Sequence, residues 1–161
     1  MKTIVKTQLQ RWLSGAKKVT VLCIGSAIRT DDAFGPALAD RLRKTVPKHV
    51  TVIDAGTVPE NYTGTIRRLA PSHVLIVDTA DMGLAPGEPR FVEAQDIEGF
   101  AVSTHAPPLK AIAKYLSTTA RSKVALFAVQ PGSLEFGEGL TEDLRKALKV
   151  TAETLIELLR K

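Results

Sequence analysis

Apolar residues in this chain follow two periods, and the periods alternate. Nearly continuous apolar runs lie at 19–25, 49–54, 73–79 and 123–129, and between them apolar residues return every three or four positions, at 34–45, 59–69, 107–118 and 141–159. The runs read as buried strands and the periodic stretches as helices laid over them. Their alternation predicts an α/β domain with a mostly parallel sheet. In the first periodic stretch Phe34, Leu38 and Leu42 share a face, and Pro36, which lacks an N–H, must sit in the first turn. In the last, Thr141 stands at the cap position ahead of Leu144, Leu148, Leu155 and Leu159. Residues 88–94 mix polar and apolar positions and carry Pro89, which suits an edge strand. Val5, Leu9, Trp12 and Leu13 recur at helical spacing ahead of the first strand, so residues 3–15 are expected to form a helix packed on the domain's flank rather than on a membrane. Two long connections remain, 95–108 and 130–139.

Composition narrows the class without changing this picture. A chain of 161 residues fits a single domain, and 44% hydrophobic with 24% charged residues describes an ordinary soluble protein. Its opening residues are too polar for a signal-peptide core, and the lone Cys23 cannot form an internal disulfide, so a reducing cytoplasm is expected. Cys23 falls inside the first strand, where a thiol serves as a small hydrophobe. The net charge of +5 is spread along the chain, and aromatics make up only 5% of it, which argues against nucleic acid as a partner.

The candidate chemistry lies where the strands end. In open α/β sheets, ligands bind at the carboxyl ends of parallel strands. Asp31 and Asp32 follow the first strand, Asp54 ends the second, Asp78 ends the third, and His105 lies in the long connection leading to the helix at 107–118. Asp32, Asp78 and His105 can reach one edge of the sheet, and two carboxylates with an imidazole suit a borderline divalent metal such as nickel or zinc. A plainer reading stands beside this one: an aspartate before a helix is an ordinary cap, and a loop histidine makes one surface hydrogen bond. Burying Asp78 unpaired would cost several kcal/mol, so it is expected at the rim or beside a cation. His49 and His73 start strands, at the end of the sheet opposite the acids, and read as edge residues. No nucleophile elbow, dinucleotide loop or phosphate loop is present.

Taken together, these stretches resemble a known family. Residues 25–32, Gly-Ser-Ala-Ile-Arg-Thr-Asp-Asp, with Gly35, are similar to the signature Gly-Asn-x-Leu-x-x-Asp-Asp/Glu-x-x-Gly of the nickel-iron hydrogenase maturation endopeptidases. The resemblance runs from residue 19 to the final helix and includes Asp-Ala-Gly-Thr at 54–57, Ile-Val-Asp-Thr-Ala-Asp-Met-Gly at 76–83 and Thr-His-Ala-Pro-Pro-Leu at 104–109. The last two are most similar to the formate-hydrogenlyase branch. Residues 1–18 form a helical extension outside it, and residues 19–161 the family-like core. The resemblance implies a three-layer α/β/α domain with a mixed, mostly parallel five-stranded sheet. It also implies a peptidase, monomeric when free, that trims the C-terminus of a hydrogenase large-subunit precursor. Asp32, Asp78 and His105 would engage nickel that the precursor itself carries, the isolated protein binding it weakly. Ser26 in place of the usual Asn and Ala55 in place of a common Gly are departures, the second tolerable unless that position needs a positive φ. A non-catalytic protein that checks nickel loading is the alternative, and a nucleotide-binding domain a more distant one.

Overall fold

Which face each strand residue takes is decided by simple alternation along the strand. In a computed structural model describing residue 1, residues 3–99 and residues 106–161, side chains at 98, 99 and 106–108 excepted, five strands form one sheet. They are β1 (Val19–Cys23), β2 (Val50–Asp54), β3 (His73–Thr79), β4 (Pro89–Glu93) and β5 (Lys123–Val129), in the order β2-β1-β3-β5-β4. All neighbours run parallel except β4, which pairs antiparallel with β5. The sheet carries helices on both sides: α1 (Thr3–Trp12), α2 (Phe34–Leu42), α3 (Thr63–Leu69), α4 (Ala106–Thr118) and α5 (Glu142–Leu159).

Two apolar cores separate the layers. Val21, Cys23, Leu75, Val77, Ala125 and Phe127 face one core with α1, α2 and α5, while Leu22, Ile24, Val74, Ile76, Leu126 and Ala128 face the other with α3 and α4. This is the expected three-layer arrangement, with Pro89 opening an edge strand where its missing N–H costs little. Helix α2 ends earlier than the apolar pattern suggests, at Leu42, and the segment 43–45 is turn. Part of the connection at 95–108 is a 3₁₀ turn, Ala94–Gly99.

Helix α1 packs as expected, with Val5, Leu9 and Trp12 buried and Lys6 paired with Glu157 of α5 at 2.8 Å. Its last turn corrects the reading of His73. Trp12 meets the His73 ring edge-on at 4.9 Å and Phe91 at 5.7 Å, so His73 is a buried residue of a central strand rather than an edge residue. Its Nδ1 lies 3.0 Å from the Ser72 hydroxyl, and its Nε2 is buried with no partner among the described residues. Desolvation lowers its pKa below the ordinary 6.5, and the Lys123 charge adds to that.

The sign of the consequence follows from proton uptake. The unfolded chain binds a proton at His73 near pH 6.5 that the folded chain refuses, so stability from this group is complete above that pH and is lost as pH falls below it. The loss is at most about 1.4 kcal/mol per pH unit. Urea unfolding at stepped pH should show this slope in the wild type and a shallower one in His73→Phe. Trp12→Ala should lower stability by about 3 kcal/mol, read in the same unfolding curves.

Candidate active site

The strand register sets the depth of each acid. Cys23 is level with Asp54 of β2 and Val77 of β3, so Asp78 lies one step further along, level with Ala128 of β5. Beyond Cys23 the chain leaves β1 through Gly25 and returns into α2 at tight quarters. A Cβ at Gly25 would lie 1.9 Å from the Asp32 carbonyl oxygen, and one at Gly35 would lie 2.1 Å from that of Ile24. Both positions therefore require glycine, and together they fold the loop back so that Asp32 lies beside β3.

Asp31 and Asp32 sit in a 3₁₀ turn, Thr30–Ala33, and neither caps α2, whose N-cap Ala33 receives no side-chain bond. The capping reading is thus replaced by two distinct roles. Asp32 is buried, its Oδ2 accepting the Ser26 backbone N–H at 2.8 Å and its Oδ1 the Thr79 hydroxyl at 2.9 Å. Thr79 in turn donates its backbone N–H to Asp78 Oδ1 at 2.8 Å. The two candidate acids are therefore linked through one residue. Alternation in β3 turns Asp78 toward the α4 side and Thr79 toward α2, which is why Thr79 reaches Asp32. Asp78 is fully buried, so of its two expected places, at the rim or beside a cation, it does not take the first.

Asp31 has no part in that link. It is fully buried, and Oδ2 accepts N–H bonds from Gly132 at 2.8 Å and Ser133 at 3.0 Å and the Thr141 hydroxyl at 2.9 Å, while Oδ1 accepts the Thr141 N–H at 2.8 Å. Thr141 stands at the N-cap of α5, but its hydroxyl serves Asp31 and not the helix. His105 lies outside the described residues, and it directly precedes Ala106, the first residue of α4, in the sequence. Among the described residues no three His, Cys, Asp or Glu side chains form a metal-sized group.

Other polar residues at this edge have structural work. Asp54 Oδ1 accepts the Gly56 N–H at 3.1 Å, and the positive φ of that turn falls on Gly56, so Ala55 is accommodated without strain. Ser26 contributes its backbone N–H, which any residue but proline would supply. Gln130, unnoticed in the sequence, ties β5 to the loop after β3 by accepting the Met82 and Leu84 N–H groups at 2.7 and 3.2 Å. Cys23 is enclosed, and its pKa is driven far up, chiefly by burial and further by the nearby Asp54 charge, so no thiolate is available for nucleophilic attack.

Comparison with known proteins places the chain in a family. Residues 36–158 match the HycI family model, described as hydrogenase maturation protease. The chain belongs to the hydrogenase maturation protease family. It is 35% identical over 136 residues to the hydrogenase 3 maturation protease of Escherichia coli, covering 84% of this chain and 86% of that protein. A putative hydrogenase maturation protease of Methanocaldococcus jannaschii is 29% identical over 96% of both chains. The crystal structure of a NiFe hydrogenase maturation protease from Thermococcus kodakarensis superposes with a TM-score of 0.88 at 33% identity, covering 96% of this chain and 99% of that one.

For this hydrogenase maturation protease, Cys23→Ala should leave cleavage intact and cost about 1 kcal/mol of stability, measured by processing assay and urea unfolding. Gly35→Ala should be far more damaging, because backbone rather than a movable side chain blocks the new methyl.

Proposed function

We propose that this protein is an endopeptidase of the cytoplasm that removes the C-terminal extension of a nickel-iron hydrogenase large-subunit precursor, acting as a monomer on precursor already loaded with nickel. Family membership supports the peptidase chemistry. The observation that carries the site is the pair of buried carboxylates, Asp32 and Asp78, brought from separate segments to a shared Thr79 at the carboxyl edge of the sheet.

The donor set fits a borderline divalent ion. Each oxygen of Asp32 accepts one hydrogen bond and retains acceptor capacity. Its described partners are neutral N–H and O–H groups, which orient the carboxylate but do not balance its charge. Asp78 and, by the family resemblance, His105 would complete a three-residue set that leaves positions for ligands from the precursor. Nickel held there would act as a Lewis acid on the scissile carbonyl or as a register mark for the precursor. The chain's own contribution is positional. Thr79 holds one oxygen of Asp32, the Ser26 N–H holds its second, the glycine-tightened loop keeps Asp32 beside β3, and the strand itself carries Asp78.

The test uses matched precursor preparations with and without nickel, mixed with the pure protein and weighed by mass spectrometry. Only loaded precursor should be shortened, and nickel added to the protein alone should create no activity toward casein. Equal cutting of both preparations would remove the metal from the reaction, and binding without shortening would make the protein a checking factor. Asp32→Asn, Asp78→Asn and His105→Ala should each lower processing by at least about a hundredfold.

A further inference from the structure

Beside the acids lies a surface that the cleavage chemistry does not use. Phe136 is 79% exposed and Ile28 58% exposed, on the loops that follow β5 and β1. The Arg29 guanidinium carbon stands 5.2 Å from the Phe136 ring centroid, and its Nε donates to the Leu134 carbonyl at 3.2 Å. Among the described residues Arg29 makes no ion pair, so its terminal nitrogens remain available. Single exposed apolar side chains are ordinary. These two differ because the loops that present them are braced to each other. Gly137 bonds the other loop twice through its main chain, accepting the Thr30 N–H and donating its own N–H to the Ile28 carbonyl, both at 3.0 Å. The Thr30 hydroxyl reaches the Glu135 carbonyl at 2.6 Å, and the Asp31 N–H reaches that of Ser133 at 3.1 Å. Asp31 then holds the same loop at Gly132, Ser133 and Thr141 through its carboxylate.

We propose that Ile28, Arg29 and Phe136 form a preorganised contact surface for the precursor segment flanking the scissile bond, and that Asp31 is the positioning residue that holds it. This rests on the processing role proposed above. The occupant follows from continuity and charge. Arg29 precedes Asp32 by three residues in one braced loop, so a chain laid across the acids continues over this surface. A guanidinium with no ion pair among the described residues, lying over an exposed ring, fits an apolar side chain next to a carboxylate. Because the loops are already ordered, docking involves little loss of conformational freedom.

Pure full-length protein and pure nickel-loaded precursor test this. Phe136→Ser should raise KM about tenfold while kcat changes less than about twofold, and Ile28→Ser and Arg29→Gln should act in the same sense. Asp31→Asn places an amide N–H against a donor whichever way it turns, and should raise KM as well. Combined with Phe136→Ser its effect should be less than additive, because both changes spoil one surface. Should Asp31→Asn not fold, Thr141→Val removes one arm of the same clamp and replaces it in the cycle. If the wild type binds precursor without cutting it, the processing role fails, and calorimetric titration of precursor then decides the surface: Phe136→Ser must weaken Kd about tenfold. Unchanged KM and Kd would overturn the proposal. So would a wild-type dimer, seen by sedimentation, that Phe136→Ser dissociates without affecting precursor binding.

Discussion

A single buried carboxylate joins the two halves of the functional edge. Asp31 receives four hydrogen bonds from a segment of the chain about a hundred positions away, and no cation accompanies it among the described residues. Three of the four donors are backbone N–H groups, the pattern in which a buried negative charge is stabilised by oriented dipoles instead of a counter-ion. Those N–H groups would themselves be costly to bury unpaired, so the loop and the acid each require the other. The site inherits its shape from that mutual requirement. With the loop after β5 held against the loop after β1, Asp32 has little freedom except to face β3, where Thr79 receives it.

Much of this architecture was legible in the residues because it rests on local periods. Continuous apolar runs gave the buried strands, three-to-four spacing gave the helices, and Pro36 and Pro89 limited where a helix starts and where an edge strand lies. The neighbourhood of Asp32 and Asp78 followed from strand ends, which share an edge in any parallel sheet. What stayed hidden depends on distant partners. Asp31 reads as an N-cap from its neighbours alone, since the groups that bond it lie at 132, 133 and 141. Thr141 reads as a cap for the same reason. Thr79 was visible only as a residue beside Asp78, and nothing local says that its hydroxyl turns to the opposite face to meet Asp32. His73 was misplaced because its cover, Trp12, comes from a helix sixty positions earlier.

The two ends of the sheet solve opposite problems. At the amino end of β3, α1 lays Trp12 over His73 and against Phe91, an apolar seal that lowers the imidazole pKa and leaves one of its nitrogens with no partner among the described residues. That end resists protonation of its imidazole. At the carboxyl ends, carboxylates are buried, but each described bond to Asp31 and Asp32 comes from a group that fixes the acid's direction without cancelling its charge. Asp31 uses its charge internally, to hold a loop. Asp32 has fewer donors, the Ser26 N–H and the Thr79 hydroxyl, and retains acceptor capacity on both oxygens. Two adjacent aspartates thus differ by one step along the backbone: the first turns inward and braces two loops, and the second turns toward β3, where the Thr79 hydroxyl meets it.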